Sequence, residues 1–268
     1  MIPRWSVILS IMWLFAILIL GTLAPFITPF NPTHPISAPL SSARISSPLG
    51  TDSLGRDLWT RLIYGGRYSP GSSLLATLLT LMIGGTTGLL AAALGGRCDR
   101  FILAILNAAL AIPSLLLAML LVAGLGPGLS TVILAIGFGG APGFARVTRT
   151  VFLQIRERGF VHASEAFGAG RLWIAYRHLL PNARRQIVSL ATTHYAWAFL
   201  GITTLTFLGL AGDPALPVWG AMLNEGRSYL IEAPRLAIWP GMAISVTILA
   251  VHRLGAFLAG EELITQVR

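Results

Sequence analysis

RERGFVHASEAFGAGRLWIAYRHLLPNARRQIV, residues 156–188, is the only long polar interval in the C-terminal two-thirds of a strongly apolar chain. Arg156, Arg158, Arg171, Arg177, Arg184 and Arg185 stand in it against Glu157 and Glu165. Phe160, Ala163 and Phe167 recur at i, i+3 and i+7, which predicts one face of a short helix. Gly168 and Gly170 then break the pattern, because glycine reaches positive φ at little cost and so ends helices. Leu172, Tyr176, Leu179 and Leu180 predict a second amphipathic turn and a half, closed by Pro181. Two short amphipathic helices on a glycine hinge, set between long apolar runs, read as a docking element. A loop resting on lipid headgroups is the plainer alternative.

Composition supports a membrane setting for those runs. The 268 residues are 54% hydrophobic and 11% charged, too apolar for an ordinary soluble domain. The net charge of +9 is carried by arginine alone, since no lysine occurs. A P-loop needs a lysine on the nucleotide phosphates and a Schiff base needs a lysine amine, so neither chemistry belongs to this chain. The arginines are spread over loops between apolar runs, which fits headgroups and topology rather than nucleic acid. Cys98 is the sole cysteine, which leaves no intramolecular disulfide and no multi-cysteine zinc site.

Uncharged runs at residues 7–23, 73–94, 101–125, 129–145, 187–210 and 236–252 predict six spans, each near the roughly 20 residues that a bilayer core needs. The first is a retained span rather than a signal peptide, because no small-residue cleavage site follows it. The fourth is diluted by Gly137, Gly139, Gly140, Pro142 and Gly143 and depends on its neighbours. Gly84 and Gly88 form a helix-packing pair, and Pro113 kinks the third span, as a hinge or as a tolerated bend. With both termini inside, thirteen arginines fall on the cytoplasmic side and six outside. The positive-inside rule favours that orientation.

Between the first two spans, residues 28–72 form an outward loop with an interfacial helix. Asp57 caps that helix, Leu58, Leu62 and Ile63 share its face, and Gly65-Gly66 ends it. Capping, and pairing with Arg56 or Arg61, account for Asp52 and Asp57 better than a metal does. No span contains Asp, Glu, Lys or Arg, so a carrier of coupled charge is missing. His194, inside the fifth span, is either a hydrogen-bonded packing residue or a pathway residue. The remaining histidines show no metal-ligand spacing.

Residues 156–181 resemble the cytoplasmic EAA loop of ABC-importer permeases, E-A-A-x3-G-x9-I-x-L-P. His162-Ala163-Ser164 stand at E-A-A, Gly168 at the glycine, His178 at the isoleucine and Leu180-Pro181 at the close. The stretches LGTDSLGRDLWTRLIYGGR (49–67), RHLLPN (177–182) and the run from Phe207-Leu208-Gly209 to Pro240-Gly241 resemble the dipeptide, oligopeptide and nickel branch. At Ala256-Phe257-Leu258-Ala259-Gly260 the resemblance stops.

The resemblance implies an all-α integral membrane permease of about six transmembrane helices, residues 1–268 forming one domain with core 73–254. A cytoplasmic coupling loop, 156–185, would join the fourth and fifth spans. Val161, His162, Ala163, Ser164, Glu165, Ala166, Phe167 and Gly168, with Leu180 and Pro181, would couple it to an ATPase subunit. The implied partners are a homologous second permease subunit, two ABC ATPase subunits, an extracytoplasmic solute-binding protein and membrane lipid, in a bacterial or archaeal cell membrane. It implies no catalytic residue, cofactor or metal in the chain itself. The cargo would be a peptide or a related solute, nickel included. An ATP-independent secondary transporter or channel is the alternative, and a membrane-embedded enzyme the more remote one.

Overall fold

A chain deprived of water must satisfy its backbone amides internally, which in a bilayer means helices or a closed barrel. The computed structural model, which describes residues 4–266, answers with helices. Among those residues there is no sheet, only isolated bridges such as Pro35–Arg56 and Thr51–Asp57. The helices are α1 (Arg4–Thr22), α2 (Ala24–Ile27), α3 (Leu58–Thr80), α4 (Thr86–Leu94), α5 (Gly96–Leu110) and α6 (Ser114–Leu125). Then follow α7 (Leu129–Arg156), α8 (Gly159–Ala166), α9 (Arg171–Ile174), α10 (Leu180–Phe207), α11 (Trp219–Arg227) and α12 (Arg235–Gln266). Arg268, counted above on the inner side, lies outside the described residues.

Four helical segments are long and apolar enough to cross a membrane: Trp5–Thr22, Leu58–Leu94, Leu129–Arg156 and Arg235–Leu258. A fifth arises if Gly96–Leu110 and Leu115–Leu125, bent by 84° across the Pro113 region, count as one broken span. The six expected spans are therefore not all matched by hydropathy. The missing one is α10, whose 28 residues reach about 42 Å but carry Ser189, His194 and several threonines. Thr192, Thr193, Thr204 and Thr206 donate their hydroxyls to carbonyls four residues earlier. Such hydroxyls are satisfied within the helix, so they weaken its hydropathy without leaving orphaned polar groups.

Two boundaries differ from the sequence expectation. The helix capped by Asp57 does not end at Gly65-Gly66 but runs on through a π-helical turn, Leu81–Gly85, to Leu94. Gly65 is there for close approach, since a Cβ on it would lie 2.3 Å from the Trp219 indole. Trp219 is accordingly buried and donates Nε1–H to the Leu62 carbonyl at 2.9 Å. Likewise the second loop helix does not stop at Pro181. Residues 175–179 widen into a π-helical turn that accommodates the amide-less proline, and the helix continues as α10.

Helix α10 packs on α3, α7 and α12, while α1 closes against α3 and α12. Gly84 and Gly88 seat α7 on the π-turn and α4, where added Cβ atoms would meet Ala141 O at 2.6 Å and Thr148 Oγ1 at 2.4 Å. Small residues at such crossings let the backbones meet and replace a hydrophobic drive that lipid does not supply. One apolar core, built on Leu58, Phe199, Trp219, Met222 and Leu236, fills the end that carries α11. Another, built on Ala92, Phe152, Ile155, Val161, Ile174 and Leu179, fills the opposite end, where α8 lies.

Candidate functional site

The chain leaves α7 after Arg156, turns, and forms α8 across the end of the bundle. One side chain anchors it. Val161 is fully buried among Ala92, Phe152, Ile155 and Leu179. Ser164, one turn on, accepts or donates a 3.0 Å hydrogen bond at His178 Nε2. The His178 ring also packs on Phe160 and Trp173, with centroids 5.6 and 5.1 Å away. The opposite side of α8 is left bare. His162, Ala163, Glu165, Ala166 and Phe167 are exposed, Phe167 at 93%.

Gly168 takes φ +85, the left-handed turn that a β-carbon would strain. Nothing lies within 4 Å of the Cβ it lacks, so the backbone conformation alone requires glycine. Gly170, also expected to break the helix, sits at φ −69 in ordinary extended backbone. Beyond it the bare surface continues through Leu172, Trp173 and Tyr176, the last 76% exposed. Leu180 and Pro181 open α10 and are exposed as well.

The expected coupling residues thus divide. Val161 points into the bundle and holds the helix, Ser164 faces His178, and His162, Ala163, Glu165 and Ala166 form an outer face with Phe167 standing proud, while Leu180 and Pro181 lie apart in α10. Charge on this face is light: His162 lies 3.9 Å from Glu157 and 3.7 Å from Glu165, and Arg156 lies 3.5 Å from Glu165. Solvent screens such pairs, so they orient side chains more than they stabilise the fold.

His194 belongs elsewhere, about 24 Å along the helix from His178. Its ring rests on Gly140, with Trp197 stacked at 5.1 Å and Phe144 edge-on at 5.6 Å. Its Nε2 is buried and has no hydrogen-bond partner among the described residues.

A third polar group, at the α11 end, was only half legible. Asp57 caps α3 by accepting from Thr60 N–H at 2.8 Å. Arg56 donates to Asp52 at 2.6 Å and to Glu225 at 3.1 Å. Arg61, 1% exposed, lies 3.3 Å from Asp52 and 3.7 Å from Glu225, and donates to the Pro32 and Ala215 carbonyls. Its Nε is off the hydrogen-bond line to Asp52, so that pairing is coulombic. Glu225, which also accepts from Ser53, is 169 residues from Arg56, and no local signal pointed to it. Among the described residues no three His, Cys, Asp or Glu side chains are grouped as a metal site.

Residues 84–259 match the family described as binding-protein-dependent transport system inner membrane component. The glutathione transport system permease protein GsiD of Pectobacterium atrosepticum is 39% identical over 207 residues, 77% of this chain and 69% of the relative. The di/tripeptide transport system permease protein DppC of Pseudomonas aeruginosa is 34% identical over 253 residues, 92% and 84% of the two chains. In fold, the chain is similar to one from the MetNI methionine ABC transporter in an inward-facing form. That match has a TM-score of 0.61 at 23% identity, covering 79% of this chain and 97% of the other.

Proposed function

The chain belongs to the inner-membrane components of binding-protein-dependent transport systems, and from that premise we propose that residues 161–170 carry the drive from an ATPase to a peptide-translocating path. Membership makes the chain the permease subunit of an ATP-binding-cassette importer, an all-α inner-membrane protein that works with an ATPase and a binding protein. The lack of lysine agrees, since a P-loop cannot be built here.

The observation that carries the coupling reading is the two-sidedness of α8. Its inner side is held by Val161 and Ser164, while its outer side offers Ala163, Ala166 and Phe167 with nothing over them. A helix that only floats on lipid needs no rigid seat. One that transmits force does, because displacement of the helix must displace the spans behind it.

The finer reading follows. The chain forms half of the path beside a homologous second permease, with two ATPase subunits on the α8 side. That side is cytoplasmic, as the arginine distribution supports, and both termini share it. The solute-binding protein delivers cargo at the α11 end, and the cargo is a peptide, as the names of the relatives support. The chain itself catalyses nothing. Purification in mild detergent, with the copurifying subunits and solute identified by mass spectrometry, tests this. ATPase and second-permease partners with bound peptide are expected; a chain that transports in liposomes alone would make it a secondary transporter.

A further inference from the structure

Arg156 and Arg171 stand at the two ends of the loop that carries α8, fifteen positions apart in sequence, and both reach the same place. Arg156 Nη1 donates to the Ala92 carbonyl at 2.8 Å. Arg171 Nη1 donates to the Leu94 carbonyl at 2.6 Å. These are main-chain oxygens in the last turn of α4, which has no further turn to bond them, because the chain turns away at Gly95 with φ +61. A guanidinium there meets both the free oxygens and the negative end of the helix dipole. Gly95 also leaves room: a Cβ on it would come within 3.3 Å of Arg156 Nη1. The other side of the Arg156 fork faces Glu165 of α8 at 3.5 Å.

We propose that Arg156 and Arg171 are positioning residues that clasp the end of α4 to the α8 loop, so that movement of α8 is delivered to the long helix 58–94. This deepens the coupling role proposed for residues 161–170 and rests on it. The Val161 contact by itself can slide, since apolar contact has no direction, and the Ser164–His178 bond ties α8 to the turn before α10 rather than to α4. Two charge-assisted hydrogen bonds from opposite ends of the loop fix direction and register. The helix they hold continues without a break through the π-turn to Leu58, about 55 Å away, where Arg56 and Arg61 bind Asp52 and Glu225. One continuous helix therefore runs from the docking end to the opposite end of the bundle, through Pro70 and the π-turn. Lysine could replace either charge but not the fork that lets Arg156 serve Ala92 and Glu165 together.

The test uses the complete importer in liposomes; crosslinking is read with Cys98→Ser and Phe167→Cys supplying a site on the outer face of α8, and hydrolysis and uptake are read in parallel with Phe167 intact. Arg156→Ala, Arg171→Ala, the pair, and Arg156→Lys are compared for crosslinking to the ATPase, ATP hydrolysis and solute uptake. The expected result is an unchanged crosslink and continued hydrolysis, with uptake per ATP lowered roughly three- to thirtyfold in the pair. Arg156→Lys should fall between wild type and Arg156→Ala. Should Arg156→Ala fail to accumulate, Arg171→Ala reads the same linkage from an exposed side chain. Uptake per ATP equal to wild type in the pair overturns the proposal. So does loss of the crosslink together with uptake, which would make the arginines mere supports of the α8 fold. Absence of the crosslink in the otherwise wild-type chain is a different failure: it removes the docking role of α8 and the clasp with it.

Discussion

His194 rests on the bare backbone of Gly140: a methyl group there would come within 2.5 Å of Cε1 and 2.8 Å of Nε2. This contact seats α10 on α7 in the middle of the bundle. Gly140→Ala should therefore destabilise the subunit by about 1–3 kcal/mol through overpacking. Adding His194→Ala should restore most of the loss, because it removes the ring that the methyl strikes. Thermal melting of the detergent-purified chain reads both. A Gly140→Ala variant as stable as wild type would mean the helices part freely at this point.

The same residue separates packing from pathway. His194→Gln keeps hydrogen-bonding capacity and His194→Leu removes it. With Nε2 unpartnered and aromatic rings on two sides, a packing role predicts near-normal uptake in whichever variant accumulates. A solute contact predicts instead that His194→Leu accumulates normally yet loses uptake.

At the other end of the bundle, the expected cost of a mutation follows burial. Asp52 and Arg61 are 2% and 1% exposed, against 20% for Glu225. Arg61→Ala leaves Asp52 with Arg56 but frees the Pro32 and Ala215 carbonyls that Arg61 bonds, and should cost about 1–3 kcal/mol. Glu225→Gln should cost less, since water reaches that carboxylate and the amide still accepts from Ser53. Arg61→Ala should thus melt clearly below Glu225→Gln; equal melting temperatures would show that Arg61 does not hold the cluster together.

What the sequence disclosed, and what it withheld, follows from the range of each signal. The cap at Asp57, the left-handed turn at Gly168 and the close crossing at Gly84 and Gly88 depend on residues within a few positions, and all three are present. Gly65-Gly66 reads as a helix end from sequence because glycine serves equally as a terminator and as a place for a neighbour to approach. The neighbours that decide between them, Trp219 at Gly65 and Ile17 at Gly66, are both distant in sequence. Pro181 misled in the same manner, since a π-turn upstream absorbs the break. Glu225 in the ion cluster, and the Arg156 and Arg171 contacts with α4, are long-range pairings that carry no local pattern at all. In α10 four threonines lower hydropathy although their hydroxyls are satisfied within the helix.

Sidedness rests on Cys98, which is exposed in the first turn of α5, just past the α4 end that Arg171 grips. It therefore reports the same side as α8. A membrane-impermeant maleimide should leave Cys98 unmodified in intact cells and label it in inverted vesicles. Labelling from outside would reverse the orientation and place α8 away from any cytoplasmic ATPase.

The loop proposed to couple gives the sharpest prediction, because Ala163 and Gly168 can be altered without a steric clash in the subunit. Ala163 is exposed on α8, so Ala163→Arg meets solvent in the free subunit and costs little stability. In a protein groove the same guanidinium would have to be buried where the helix backbone approaches, whereas lipid headgroups would rearrange around it. Gly168 has nothing within 4 Å of a Cβ, so Gly168→Val introduces no clash. It strains only the left-handed turn, by roughly 1–3 kcal/mol, and re-aims α8 relative to α9. Both variants should accumulate and insert like wild type, yet lose ATPase binding or hydrolyse ATP without uptake. Gly168→Asn should be milder, because asparagine tolerates the left-handed region better than β-branched residues do. Accumulation by immunoblot, ATPase copurification and uptake in liposomes measure the three properties separately. Full uptake in Ala163→Arg, with wild-type ATPase copurification, would reduce α8 to an interfacial helix.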